Sequence, residues 1–274
     1  MAPVWKPALL RGPLFASLRP VLEGIDWPAG RWPTHGDYQA LLAGLAVPPV
    51  SGLGASLRVV APLPPAPGWQ QSYEGRIGQE GLLQTRPANW HDLFNLLVWA
   101  VFPRTKARLN RRHCLAQRER AHVAVQERSP LEDALTQFDE SGVIVVCADE
   151  TLLAMVRAFR WKTLFWEHRS RVVSHMACYL FGHGLLEKAL APYVGMTGKG
   201  ILVPAASDFF GWELAARLAW LDGVVAQMVE RLKRPADLQP VPVLGFPGMT
   251  PDNDRPEYYD DVSYFRPGRR GLPG

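Results

Sequence analysis

One segment, Trp90 to Phe102 (WHDLFNLLVWAVF), is apolar around nearly its whole circumference when it is drawn as an α-helix. A helix of this kind must be buried, so the rest of the chain has to surround it. Its polar side chains, His91, Asp92 and Asn95, fall within one sector about 100° wide. Capping of the helix start is the structural explanation for Asp92, but it does not account for Asn95, which lies one turn further in.

A second inward face is predicted on the next helix, which begins at Pro103 because the first turn of a helix needs no donor from the proline nitrogen. A stripe of polar residues follows at spacings of four, three and four: Lys106, Asn110, His113 and Gln117. Arginines occupy the opposite half of this helix, at Arg104, Arg108, Arg111, Arg112 and Arg118. We therefore expect the stripe to face inward and the arginines to face water.

A third helix is predicted from roughly Val172 to Leu190, within a longer periodic stretch, and it is again apolar almost all round. It carries His183 and Glu187 four residues apart on one face. Burying an imidazole or a carboxylate costs on the order of several kcal/mol unless the group is paired. The three polar faces are therefore expected to converge on one enclosed site.

The polar residues of these faces are the candidate catalytic residues: His91, Asp92, Asn95, Lys106, Asn110, His113, His183 and Glu187. Neutral imidazoles and a carboxylate are usual zinc or iron ligands, which predicts a divalent metal bound by His91, His113, His183 and Glu187. The spacings match no HExxH or paired CxxC signature, so a hydrogen-bonded network that only fixes helix register stays open. Lys106 is expected to hold an anion or to form an ion pair with Asp92 or Glu187.

These residues predict a hydrolase-like enzyme, metal-assisted or acting by acid–base catalysis, on a small polar or anionic substrate. The histidines would bind metal or shuttle protons, and Glu187 or Asp92 would be a ligand or base. Lys106 with Asn95 and Asn110 would orient the substrate. A purely structural role for the buried polar groups is one alternative.

The other alternative is a non-catalytic protein that binds nucleic acid or an acidic partner through the basic face from Arg104 to Arg120. The chain has 30 basic and 26 acidic residues, and its net charge of +4 is too small to mark a nucleic-acid binder by itself. Between Arg104 and Arg128, however, eight basic and two acidic residues give +6. A solvated helix face explains the same pattern.

Two short motifs have competing interpretations. DESG, Asp139 to Gly142, precedes the β-branched run VIVVCA and has the composition of a hairpin turn, which we expect there; a carboxylate pair for a metal is the alternative. GMTGKG, Gly195 to Gly200, lacks the spacer of a phosphate loop and the Ser or Thr that follows its lysine. We therefore expect no phosphate loop there.

The fold predicted is a single mainly α, α+β domain over residues 1–274: an irregular Pro-, Gly- and Trp-rich layer (1–88), a helical core (89–232) and an extended tail (233–274). Helices are predicted at Asp37–Leu45, Asn89–Phe102, Pro103–Arg120, Asp149–Arg160, Trp166–Ala191 and Asp208–Leu232. Strands are predicted at Leu57–Ala61, Tyr73–Ile77 and Val143–Ala148, and the tail is expected to be anchored by Phe246, Tyr258, Tyr259 and Phe265.

The expected location is the cytoplasm, without a membrane span. No run of 18 apolar residues occurs, and the first residues lack the pattern of a secretory signal. Cys114, Cys147 and Cys178 form neither a CxxC pair nor an even disulfide set, which fits a reducing compartment.

The segment NWHDLFNLLVWAVFPRTKARLNRRH, Asn89 to His113, resembles the central motif of a bacterial family classed as a domain of unknown function. Further similar stretches are FDESG, FGHGLLEKAL, GMTGK, VLGFPG and YYDDVSYFRP. The resemblance covers most of the chain and carries over to the eight candidate residues named above, but it implies no reaction, fold or ligand. Arg108 and Arg111 stand where the family pattern has aliphatic or alanine residues, which makes the basic face partly a feature of this chain.

Overall fold

The computed structural model describes residues 5–123 and 127–268, which form a mainly helical α+β structure. The helices in this part of the chain are α1 (Arg19–Leu22), α2 (His35–Ala43), α3 (Tyr73–Glu80), α4 (Trp90–Val101), α5 (Pro103–His122), α6 (Pro130–Ser141), α7 (Glu150–Arg157), α8 (Arg169–His175), α9 (His183–Lys188) and α10 (Leu214–Val229). The strands are β1 (Arg58–Val60), β2 (Leu82–Gln84), β3 (Gly142–Cys147), β4 (Met176–Leu180), β5 (Thr197–Pro204) and β6 (Gln239–Pro242). Short 3-10 turns, many beginning at a proline, fill both terminal regions.

The larger sheet has the order β4-β3-β5-β6 and places the β-branched strand β3 inside it. β3 runs antiparallel to β4 and parallel to β5, and β6 pairs antiparallel to β5 at the edge. All six residues of β3 are buried, as expected for a strand covered on both faces. The strand predicted from Val143 is therefore confirmed.

The apolar helix α4 is buried, as its sequence requires. Of its 12 residues, nine are buried, and Phe94 stacks on Phe15 from the N-terminal layer with ring centroids 5.7 Å apart. Trp90 packs against Phe94 on one side and Trp5 on the other. The Pro- and Trp-rich first segment therefore covers α4 and contributes aromatic rings to the core.

Two predicted elements are wrong. The strand predicted at Tyr73–Ile77 is helix α3, whose start is capped by the Ser72 hydroxyl accepting from the Gly75 amide at 3.0 Å. The helix predicted at Trp166–Ala191 is interrupted, because Met176–Leu180 pairs with β3 as strand β4. A short apolar run has no periodicity that separates strand from helix, and here sheet pairing decides the outcome.

The C-terminal segment packs on the core as far as residue 268. Phe246, Tyr259 and Phe265 are buried, as predicted, and Tyr258 is half-buried. The buried Asn253 amide donates to the carbonyl of Leu244 at 2.8 Å and holds the segment in place. No helix among the described residues is both long and apolar enough to span a membrane.

Candidate metal centre

A cleft of about 590 Å³ forms where the polar faces of α4, α5, α6 and α9 meet. His91, Asn95, His113 and His183, all predicted to face inward, lie along its wall. The predicted convergence of the three polar faces is therefore confirmed for these residues. The cleft is large enough for a small-molecule ligand.

His91 reaches the cleft from the first turn of α4. The Asn89 side chain caps this helix by accepting from the Asp92 amide at 3.0 Å, which fixes where the helix begins. The His91 ring then lies between two carboxylates: Nδ1 is 3.0 Å from Glu187 Oε2, and Nε2 is 3.7 Å from Glu140 Oε1.

His183 reaches the same place from the start of α9, and the glycines on either side of it allow this approach. A Cβ atom on Gly182 would lie 2.3 Å from the Gly142 nitrogen, and one on Gly184 would lie 2.5 Å from Glu140 Oε2. Backbone of α6 and β3 leaves no room for a side chain at Gly182, whereas a Cβ at Gly184 would displace the Glu140 carboxylate from its place beside His183. His183 Nε2 then lies 3.4 Å from Glu140 Oε1.

The two imidazoles and Glu140 form a compact group of possible metal ligands. One donor atom from each of His91, Glu140 and His183 lies within 4.8 Å of the other two, and the ring centroids of the histidines are 4.4 Å apart. The polar contact with His183 lowers the pKa of Glu140, and the nearby imidazoles outweigh the opposing effect of burial. Glu140 is therefore ionised at neutral pH.

A buried hydrogen-bonded network lies on the Nδ1 side of His183. The Lys106 ammonium donates to Asp139 Oδ1 at 2.5 Å and to Asn95 Oδ1 at 2.8 Å, and Asn95 in turn donates to the Tyr73 hydroxyl at 2.6 Å. Burial alone would raise the pKa of Asp139, but the Lys106 charge and the nearby imidazoles lower it. Asp139 is therefore a carboxylate, and its Oδ2 lies 3.6 Å from His183 Nδ1.

The family model for a protein of unknown function (DUF3025) matches residues 62–269, well over half of the chain. The chain belongs to this family. No similar curated protein and no similar solved structure was found. The expected membership in a family of unknown function is thereby confirmed, and His91, Glu140 and His183 lie within the matched region of this DUF3025 protein.

Of the four ligands predicted from sequence, the structure brings together only His91 and His183. Glu187 contacts His91 Nδ1 instead of joining the ligand group, and His113 lines the cleft outside it. The expected ion pair of Lys106 with Asp92 or Glu187 is wrong, because Asp139 lies closer to the buried ammonium.

Asp92 and Asn110 have other partners in the DUF3025 chain. Asp92 accepts two side-chain hydrogen bonds from Arg86, at 2.9 and 2.7 Å. Asn110 accepts from the Gly52 amide and donates to Glu74, which ties α5 to the N-terminal layer and α3. The Asn110 side chain is therefore occupied by contacts within the protein, which do not support its predicted role in orienting a substrate.

The candidate ligand Glu140 and Asp139, which faces His183, come from DESG, where a hairpin turn was expected and a carboxylate pair for a metal was the alternative. The prediction of a turn is wrong, because α6 continues to Ser141 and β3 begins directly at Gly142. The signal that reveals the helix lies further upstream, where Ser129 and Glu132 form a capping box. A helix that starts there carries the two carboxylates in its last turn.

The arginine face of α5 is only partly exposed. Arg104, Arg111 and Arg118 are exposed, as predicted. Arg108 and Arg112 instead contact Glu230 at the end of α10, and the side chain of Arg112 is only 15% exposed. The α10 helix therefore covers part of the surface that was expected to face water.

Proposed function

We propose that this DUF3025 protein is a metal-dependent hydrolase in which His91, His183 and Glu140 bind a divalent cation. One observation carries the proposal: the Nε2 atoms of both histidines face the same oxygen of Glu140, while both Nδ1 atoms face other carboxylates. A histidine that binds a metal through one nitrogen usually donates its other N–H to a carboxylate or carbonyl, which fixes the tautomer. Glu187 Oε2 is within hydrogen-bond distance of His91 Nδ1, at 3.0 Å, and Asp139 Oδ2 faces His183 Nδ1 at 3.6 Å, a gap that a small shift on metal binding would close to a hydrogen bond.

The arrangement also has an electrostatic reason to take up a cation. With protons on both Nδ1 atoms, each Nε2 carries a lone pair, and in that tautomer both lone pairs face the Glu140 carboxylate at 3.7 and 3.4 Å, where without a metal a ring proton takes the place of the cation. These groups repel one another in the absence of a positive charge between them. A divalent metal supplies that charge, and two imidazoles with one carboxylate are a usual ligand set for catalytic zinc.

Hydrolysis follows from the ligand count and from access. Two imidazoles and one carboxylate leave coordination positions for water, and a bound metal lowers the pKa of that water toward about 7. The Glu140 side chain is 42% exposed and the His91 side chain 29%, so water and substrate reach this end of the cleft. The Tyr73 hydroxyl accepts from the Asn95 amide at 2.6 Å on the wall of the same cleft, so its own proton is available for donation to a bound substrate.

The first test is a calorimetric titration with zinc after metal has been removed on a chelating resin. We expect one equivalent to bind, and His91→Ala, His183→Ala and Glu140→Gln each to weaken binding at least about a hundredfold. Glu187→Gln should weaken it about tenfold to a hundredfold, as is typical of residues that orient a ligand. His122→Ala, an exposed histidine at the end of α5, is the matched control and should bind like the wild type. Equal binding by all the variants would refute the proposed centre.

The second test measures hydrolysis of chromogenic carboxylic and phosphoric esters with zinc or manganese added. Activity should require the metal and be lost in Glu140→Gln. A protein that binds zinc at the predicted residues but hydrolyses none of these esters would retain the metal site and lose the assignment as a hydrolase for this substrate class.

A cytoplasmic location is part of the proposal. Cys114, Cys147 and Cys178 are buried and unbridged, and burial raises the pKa of Cys114 and Cys178 to about 12. Such thiols are protonated and act as small apolar groups. Mass spectrometry of freshly purified protein should find three free thiols, and a disulfide would argue for another compartment.

A further inference from the structure

Arg76 is a buried cation on the wall of the cleft. It lies on α3, one turn after Tyr73, and is only 5% exposed. Its guanidinium donates to Gln71 Oε1 at 3.3 Å, to Gln84 Oε1 at 3.2 Å and to the carbonyl of Pro64 at 2.5 Å. All three acceptors are uncharged.

The other arginines on the cleft wall differ from Arg76, because each has a carboxylate partner. Arg86 pairs with Asp92 at 2.7 Å, Arg120 with Glu132 at 3.3 Å, and Arg128 with Asp133 at 3.4 Å. Across residues 5–123 and 127–268, no carboxylate lies within ion-pair distance of Arg76. Glu74, two residues away, contacts Asn110 instead.

A buried guanidinium without a counter-ion is costly, and arginine cannot escape that cost by losing its proton. Three of its five N–H groups are used by the neutral acceptors, which leaves one N–H on each terminal nitrogen. Two N–H groups on adjacent nitrogens match the two oxygens of a carboxylate or a phosphate. An anion bound at this position would supply the missing charge.

We infer that Arg76 is the anion-recognition residue of the cleft and binds a carboxylate or phosphate group of the substrate. That this group belongs to a substrate rests on the proposed hydrolase function, whereas binding of the anion does not require the metal. Arg76 and the proposed metal ligands line one cleft, and Tyr73, one turn before Arg76 on α3, lies on the same wall and accepts from Asn95 of α4. The substrate class is therefore an ester or amide that carries an anionic group.

Calorimetric titration with inorganic phosphate, and separately with acetate, tests this inference on protein stripped of metal and held at constant ionic strength. We expect at least one of the two anions to bind the wild type, and Arg76→Gln to weaken that binding at least about tenfold. Arg128→Gln is the matched control, since Arg128 lines the same cleft but has Asp133 as its partner, and its affinity should stay within about twofold of the wild type. The stronger anion identifies the group that is recognised.

Arg76→Lys is a second variant in case Arg76→Gln does not fold, because it keeps the positive charge and removes the paired N–H groups. It should weaken anion binding at least severalfold. The wild type alone gives a further check, since a bound anion raises the melting temperature relative to chloride at equal ionic strength. No binding and no stabilisation by either anion would overturn the inference. So would unchanged affinity in Arg76→Gln.

The zinc titration separates this inference from the proposed function. Zinc binding without anion binding would remove the role of Arg76 and leave the metal centre. Anion binding that depends on Arg76 in a protein that binds no zinc would retain the anion site and remove the metal-dependent hydrolase.

Discussion

Asp139 and Asp222 are both buried, but the two sides of α5 use them differently. Asp222, on α10, accepts from the backbone amides of Arg104 and Thr105 at 3.0 and 2.8 Å, so both of its oxygens are bound to the start of α5. Asp139, on α6, has one oxygen bound to Lys106 and the other facing His183 Nδ1. Asp222 therefore caps the start of α5 with both oxygens, whereas Asp139 has one oxygen left that faces the His183 ring.

The partners also shift the pKa values of the two aspartates in opposite directions. Burial raises the pKa of Asp222, and its backbone hydrogen bonds only partly offset this. The same effect at Asp139 is outweighed by the Lys106 ammonium and by His183, so its pKa is lowered. The buried Lys106 ammonium therefore keeps Asp139 ionised beside the His183 imidazole, although the carboxylate is buried.

Removing that cation should have the largest effect on stability. Lys106→Met leaves Asp139 buried without its cation, and we expect the free energy of unfolding to fall by about 3–5 kcal/mol in urea denaturation. The double variant Lys106→Met/Asp139→Leu removes both charges and should recover most of the loss. A single variant as stable as the wild type would show that Asp139 is not an ionised group held by Lys106.

Asp222→Ala should have a smaller effect, confined to the α5–α10 junction. We expect a loss of about 2–3 kcal/mol, because charge-assisted bonds to two amides disappear, while the zinc affinity stays unchanged. Asp222→Asn keeps one acceptor and should lose less. A drop in zinc affinity in Asp222→Ala with the fold intact would contradict the separation of the two sides.

The smallest expected effect is on the pH dependence of stability, to which Asp139 and Asp222 should contribute with opposite signs. A lowered pKa means that Asp139 stabilises the fold above its ordinary value of 3.8, and this contribution is lost as the pH falls through the lowered value. A raised pKa means that the contribution of Asp222 is present below 3.8 and is lost as the pH rises through the raised value. Unfolding free energies of Asp139→Asn and Asp222→Asn, measured from about pH 3 to 7 and compared with the wild type, should diverge in opposite directions. Parallel curves would show that both aspartates have the same charge preference.

Elements whose residue pattern is typical of a single type of secondary structure could be predicted from the sequence. Trp90–Val101 is apolar around nearly its whole circumference, which predicts a buried helix, and the β-branched run from Val143 predicts a buried strand. Strand β4 was missed because Met176–Leu180 is short and apolar, and pairing with β3, distant in sequence, decides its structure.

The candidate site was only half predictable for a similar reason. The helical spacing placed His91 and His183 on inward faces, but it gave no information on Glu140, whose local sequence has turn composition. Gly182 and Gly184 bring the end of α6 to His183, and this close approach is a tertiary feature. Arg76 was missed because no sequence pattern shows that a buried arginine lacks a counter-ion.

In the proposed centre, His91, His183 and Glu140 hold one metal ion through the two Nε2 atoms and the carboxylate. A crystal structure of the zinc-loaded protein, with anomalous data collected at the zinc edge, tests it directly. We expect a single peak about 2.0–2.2 Å from both Nε2 atoms and from a Glu140 oxygen, with Glu187 and Asp139 bonded to the Nδ1 atoms. A peak bound through the Nδ1 atoms, a peak elsewhere, or no peak at these three residues would contradict it.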